Sequence, residues 1–208
     1  KKDEIINTEY KVEADWSSAS YFFSIVALSK NIELSFLNFR KDSFQGDINV
    51  CKYYELFGVK TTFQNGKLII KKRNNFNYPE KIIIDLKDNP DLAQTIIVTA
   101  FGLNIPTKLT GLSTLKVKET DRIEALRNEL TNLGASCIID DESIEFFKSN
   151  KLNKNYIINT YDDHRMALAF APLSVIFPIE IQDPKVVSKS FPEFWNILEK
   201  LNFSIDFV

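Results

Sequence analysis

The chain has 208 residues, 44% of them hydrophobic, with 26 Lys and Arg against 28 Asp and Glu for a formal net charge of −2. That content supports a packed core, and the near-balanced charge excludes the broad electrostatic field with which proteins hold nucleic acid or an acidic membrane surface. Only Cys51 and Cys137 occur, outside CxxC spacing, and no apolar run approaches the roughly 20 residues that span a bilayer. The chain therefore reads as cytosolic, without a disulfide framework or a zinc site.

The sequence begins at Lys1 and its single Met is Met166, so it reads as a piece of a longer protein. Residues 1–10, mixed in charge and without periodicity, read as a hinge or linker. From there the pattern predicts a strand over 11–14, an apolar helix over 17–28 with Asp15, Ser17, Ser18 and Ser20 as candidate caps, and a strand over 32–37. A helix over 47–57 follows. Strands over 61–63 and 67–71 then form a hairpin around Asn65-Gly66, a strong turn signal.

A second set of elements follows in the same order. It has a strand over 81–86, an apolar helix over 92–102 with Asn89 as cap and Pro90 at its first position, and a strand over 107–112. Next comes an amphipathic helix from Asp121, with Thr120 as N-cap, Gly134 as its stop, and Ile123, Leu126, Leu130 and Leu133 at helical spacing. Strands over 137–139 and 143–147 close the set. The third set reads as a strand over 156–161, a buried helix from His164 that Pro172 kinks or ends, a strand over 179–182, a helix over 192–201 and a last strand over 203–208.

The recurrence is metrical. Asp15, Asp91 and Asp163 open the three apolar helices at separations of 76 and 72 residues, and Asp47, Asp121 and Glu193 open the second helices about 30 residues later in each case. The chain thus reads as one domain over 11–208, built of three βαβαββ pseudo-repeats at about 11–75, 80–148 and 156–208. The third repeat lacks the hairpin partner of its last strand. Because an unpaired apolar edge is a liability, that partner is expected from a segment upstream of this chain.

Charged residues gather at the helix starts. Arg122 heads the core-facing row Arg122, Leu126, Leu130, and an inward arginine needs a partner. Taken alone it reads as a structural ion pair with Glu119. His164, the single histidine, and Arg165 sit beside free backbone N–H groups at a helix start, where cations are disfavoured unless an anion binds. The plain alternative is that Asp162 or Asp163 neutralises Arg165 and His164 is structural. Asp91 alone reads as a complement to a helix dipole, and Lys189 alone as an exposed lysine. If the three repeats pack about a common axis, however, Asp91, Lys118, Glu119, Arg122, His164, Arg165 and Lys189 share one face. Cations flanked by carboxylates there suit a small polyanion undergoing proton transfer, and the set requires no metal.

The segments Val12-Glu13-Ala14-Asp15-Trp16-Ser17-Ser18-Ala19-Ser20-Tyr21-Phe22, Gln45-Gly46-Asp47, Pro90-Asp91, Val117-Lys118-Glu119-Thr120-Asp121-Arg122-Ile123, Asp163-His164-Arg165-Met166-Ala167 and Lys189-Ser190-Phe191-Pro192 carry a resemblance. In this order and spacing the chain resembles the C-terminal half of the 5-enolpyruvylshikimate-3-phosphate synthase family. It departs at Ala14, where a Gly is usual, at Trp16, where a small residue is usual, and at Thr114, where an Asn often touches the shikimate moiety.

The resemblance implies an α/β (α+β) fold of βαβαββ units with helices inside and sheets outside, less an N-terminal strand. It also implies a cofactor-free transfer of the enolpyruvyl group of phosphoenolpyruvate to the 5-hydroxyl of shikimate 3-phosphate, in a cytoplasmic enzyme that is monomeric at full length. Asp91 then matches the acid that contacts the shikimate ring hydroxyls and accepts a proton, and Glu119 the acid of proton transfer at the methylene carbon. Lys118 matches a contact to the shikimate phosphate. Arg122, Arg165 and Lys189 match the cations on phosphoenolpyruvate, Lys189 with a proton-relay role as well, and His164 supports them.

The N-terminal motifs of the family are absent, so the missing half is an expected partner and the chain alone is expected to be inactive. A related transferase acting on UDP-N-acetylglucosamine is the alternative enzyme. A free-standing anion-binding module is the alternative of another kind.

Overall fold

A computed structural model describes Glu9 and residues 12–207. The rest of the expected hinge, Lys11 of the expected first strand and Val208 lie outside the described residues. The first unit contains helix α1 (Trp16–Leu28), strand β1 (Glu33–Leu37), helix α2 (Val50–Glu55) and the hairpin β2 (Val59–Gln64) and β3 (Lys67–Lys72). The second contains β4 (Ile82–Asp85), α3 (Ala93–Leu103), β5 (Thr107–Thr110), α4 (Arg122–Asn132), β6 (Ser136–Ile139) and β7 (Ile144–Phe147). The third contains β8 (Ile157–Ile158), α5 (His164–Phe170), β9 (Glu180–Ile181) and α6 (Phe194–Lys200).

The apolar helices α1, α3 and α5 pack on one another at the centre, and each unit lays its sheet outside them. In β3 and β7 alternate residues point inward, which buries Leu68, Ile70, Ile144 and Phe146. α1 and α3 also share a buried polar ladder at four-residue intervals. Ser20 Oγ meets Thr95 Oγ1 at 3.1 Å, and Ser24 Oγ meets Thr99 Oγ1 at 2.7 Å. Such pairing lets hydroxyls sit in a core without unsatisfied groups. Among the described residues, no helix is long and apolar enough to cross a membrane.

The first sheet has the order β1-β3-β2, all antiparallel. Its hairpin turns at Asn65 and Gly66, both at positive φ (52° and 71°), as a two-residue turn between right-twisted strands requires. The second sheet, β4-β5-β7-β6, begins with a parallel pair bridged by α3, and the third is the parallel pair β8-β9 bridged by α5.

Several expectations are corrected. Residues 12–14 form no strand, and Ala14 makes a single backbone bond to Asn38 (2.9 Å), so the first sheet has three strands. The Asp47 helix starts as a 3-10 turn, Gly46–Asn49, before α2. The cap of α4 is Asp121, not Thr120: its extended backbone lets the carboxylate accept from Glu124 N at 3.1 Å. Asn89 makes no cap hydrogen bond. Its Oδ1 accepts from Asn49 Nδ2 (2.8 Å) and the Tyr53 hydroxyl (3.2 Å), which ties the first unit to the start of α3.

Residues 203–207 are not paired as a strand. Phe203, Ile205 and Phe207 instead line a groove of about 1180 Å³ with Ile181 and Trp195. In the first two units a central strand, β3 or β7, occupies the corresponding place between its neighbours.

Trp16 is fully buried against Phe39, with ring centroids 4.8 Å apart. Lys72 is buried too. Its Nζ donates to Ala27 O in the last turn of α1, to Phe57 O (3.2 Å) and to the Tyr78 hydroxyl (2.7 Å). Lys72→Met strands two carbonyls, and it is expected to lower stability by about 1–3 kcal/mol in urea unfolding.

Candidate active site

Three helix starts from two units meet at one cluster. Asp91 lies in the 3-10 turn Pro90–Leu92 that leads into α3, Arg122 is the first residue of α4, and Asp163 caps α5 by accepting from Arg165 N at 2.8 Å. Each helix starts there for a local reason. Pro90 presets the backbone before α3, while Asp121 and Asp163 satisfy free N–H groups of α4 and α5.

Arg122 is the hub, with its side chain 2% exposed. Nε and Nη2 hold both oxygens of Asp163 at 2.6 and 3.2 Å, Nη2 also holds Glu119 Oε2 at 2.6 Å, and Nη1 holds Asp91 Oδ1 at 3.1 Å. Asp91 is the counterpart hub. Its Oδ2 takes Arg165 Nη2 at 3.0 Å, and its Oδ1 lies 3.8 Å from Lys118 Nζ. The expected pairing of Arg122 with Glu119 is present, but as one contact of three. Asp91, rather than Asp162 or Asp163, neutralises Arg165.

Asp91, Lys118, Glu119, Arg122, His164 and Arg165 thus share one contiguous site. Lys189 stands at its rim, 43% exposed, with Nζ on Asp162 Oδ1 (2.8 Å) and Asp162 O (2.7 Å). Sequence reasoning left two members out of the site. Asp163, wholly buried, was read as a helix start and as an alternative partner of Arg165, not as a partner of Arg122. Tyr21 on α1 is the other: burial pushes its hydroxyl up to about 12, against the pull of Arg165. It lies within the run that read as an apolar helix over 17–28.

His164 Nδ1 is buried without a hydrogen-bond partner and lies 3.7 Å from Glu119 Oε1. Burial holds the imidazole below its ordinary value of 6.5, against the upward pull of Asp163 and Glu119. Below pH 6.5 the unfolded chain then takes up a proton that the folded chain resists, so folding stability falls as pH drops from 6.5 through the folded value. Urea midpoints at pH 7.5 and 5.5 check this: His164→Gln is expected to lose less stability on acidification than the parent.

Glu119, Asp163 and His164 offer ligand atoms within 4.8 Å of one another, which is the spacing of a metal site. Arg122 already bonds both carboxylates there, so a metal ion would have to displace a buried guanidinium or lie against it. The donor set fits the arginine better.

Three carboxylates, Asp91, Glu119 and Asp163, face three cations, Lys118, Arg122 and Arg165. A ligand bearing phosphate and carboxylate can take over donors now spent on Asp91 and Glu119. Those two carboxylates would then be free beside it.

The model of the EPSP synthase (3-phosphoshikimate 1-carboxyvinyltransferase) family matches residues 2–198. The 3-phosphoshikimate 1-carboxyvinyltransferase of Bacteroides fragilis (strain YCH46) is 42% identical over 199 residues, which cover 94% of this chain and 48% of that protein. The enzyme of the same description from Methanosphaerula palustris is 36% identical, covering 91% and 44%. The chain spans about half the length of these curated relatives. Among solved structures, an EPSP synthase from Acinetobacter baumannii matches at TM-score 0.67 and 23% identity, covering 91% of this chain and 46% of that one. The enolpyruvyl transferase NikO from Streptomyces tendae matches at 0.61 and 12%, covering 94% and 44%, so both share the fold. With the family model matched over nearly its whole length, the chain belongs to the EPSP synthase family.

Proposed function

We propose that this chain is one half of a cytoplasmic enzyme that transfers the enolpyruvyl group of phosphoenolpyruvate to the 5-hydroxyl of shikimate 3-phosphate. The observation that supports this best is Asp91 held between Arg122 and Arg165, at 3.1 and 3.0 Å, where three helix starts meet. Arg122, Arg165 and Lys189 grip phosphoenolpyruvate, Lys118 meets the shikimate phosphate, and His164 supports them from beside Glu119. The 5-hydroxyl oxygen bonds to the phosphate-bearing carbon of phosphoenolpyruvate and passes its proton to Asp91. Glu119 protonates the methylene carbon, with Lys189 relaying a proton, and a tetrahedral adduct results. Loss of a proton from that methyl group with departure of phosphate then forms the enol ether double bond. The charge pattern suits this, because the cations neutralise the phosphate and carboxylate while two acids face the reacting atoms.

The partner in this reading is the other half of the enzyme, since the relatives are about twice as long. A strand from that half fills the groove beside residues 203–207, and residues 11–208 act as one domain.

Titration of phosphoenolpyruvate and shikimate 3-phosphate, with and without the complementary half, tests the reading. Arg165→Ala is expected to cost about 2–5 kcal/mol of phosphoenolpyruvate binding. Affinity unchanged by that substitution would sink the assignment.

A further inference from the structure

Glu129 lies on α4 seven residues beyond Arg122, two turns along the same face, and it is wholly buried. Among the described residues, its carboxylate accepts hydrogen bonds only from neutral donors. Oε2 accepts from Asn159 N at 2.9 Å, and Oε1 accepts from the Tyr161 hydroxyl at 2.8 Å and the Tyr156 hydroxyl at 3.3 Å. A buried carboxylate without a cation is costly to keep, so stability alone does not account for an acid here. What it holds is the segment that leads into α5. Further along α4, Asn132 Nδ2 donates to the Tyr156 hydroxyl (2.8 Å) and Leu133 O accepts from Asn153 N (2.9 Å). Residues 153–163 are thus laced along α4 and end where Arg122 holds Asp163.

The tightest part of that segment is its corner. Tyr161 and Asp162 are consecutive non-glycine residues at φ 55°, a left-handed pair that persists only where the surroundings impose it. The contacts that impose it are those of Glu129 on Asn159 and Tyr161, supported by Asn159 Oδ1 accepting from Tyr161 N at 3.1 Å. Asp162, within the corner, carries Lys189, and beyond it comes Asp163, which orients Arg122 and caps the helix of His164 and Arg165.

We propose that Glu129 is a positioning residue of the active site: it holds the Tyr161–Asp162 corner closed, and so sets where Asp163 meets Arg122 and where Lys189 is held. The proposal rests on the functional reading above for the ligand, but not for the geometry. An accept-only group suits the task, because Gln at this position would turn an N–H donor toward either the two hydroxyls or the Asn159 amide.

The test uses Glu129→Gln, and Tyr161→Phe, which keeps the ring and drops one hydroxyl. His164 is the single histidine, so its ring NMR signals report the start of α5 without overlap. In both variants these signals are expected to shift, and phosphoenolpyruvate affinity to weaken about tenfold, while the chain stays folded. A lowered melting temperature with His164 signals and affinity unchanged would show a purely structural residue and overturn the proposal. If the parent chain binds no phosphoenolpyruvate even with its complementary half present, the functional reading fails, and the His164 signals of this chain still decide the role of Glu129.

Discussion

Arg122→Leu is expected to destabilise the chain by about 3–5 kcal/mol, as breaking one partner out of a buried ion pair does. The reason lies in Asp163. Its carboxylate is wholly buried, and Arg122 bonds both of its oxygens, leaving Arg165 N as the other donor to it. Losing the guanidinium strands that charge in the interior, while Glu119 and Asp91 keep partial access to water and lose less. Arg122→Lys is expected to recover only part of the loss, since one ammonium cannot span three carboxylates. The double variant Arg122→Leu with Asp163→Asn removes both charges and keeps a capping side chain on α5, so it is expected to regain most of the stability without regaining anion affinity. Urea unfolding of the four proteins checks this. Equal midpoints for the parent and the Arg122→Leu single variant would show that the network is not holding the fold.

Much of the fold was legible because its signals are local. The apolar runs of α1 and α3, the Asp15 and Asp163 caps and the Asn65-Gly66 turn each lie within a few residues of what they specify, and those elements formed close to their expected bounds. That the sheets lie outside the helices was implied by the resemblance, and the buried alternate residues of β3 and β7 agree with it. The site was legible as a set of residues and not as a set of bonds. Arg122 could be seen to face inward, yet of its partners only Glu119 lies within a helical turn, and Asp91 and Asp163 are 31 and 41 residues away. Periodicity carries no information about such pairs.

Glu129 escaped notice for a related reason. Acidic residues on an amphipathic helix are normally solvated, and its burial depends on residues 156–161, which read as a strand rather than as a segment laid along α4. The ends of the third unit were over-read as strands because apolar alternation specifies a face, whereas a ladder needs a neighbour: β8 and β9 pair over two residues, and 203–207 not at all.

In the enzyme assembled from this chain and its complementary half, Asp91→Asn and Glu119→Gln are each expected to lower kcat by about 10²–10⁴, the range associated with a positioned acid or base. Their KM values are expected to differ, and the geometry says how. Asp91 anchors Arg122, Arg165 and Lys118 together, so losing its charge lets the three cations proposed to grip the substrates drift and is expected to raise KM as well. Glu119 holds Arg122 alone among the arginines, and Arg122 keeps Asp163 and Asp91, so Glu119→Gln leaves the grip largely intact and acts on kcat. On the proposed reading this chain supplies the acids and cations of one wall of a cleft and its complementary half the other, so alone it is expected to show no turnover of shikimate 3-phosphate and phosphoenolpyruvate. Steady-state kinetics of the assembled variants, with a no-partner control, decide the matter. Turnover without the partner would refute the two-walled site, and a Glu119→Gln enzyme within threefold of the parent would remove Glu119 from the chemistry and leave it as a tether for Arg122.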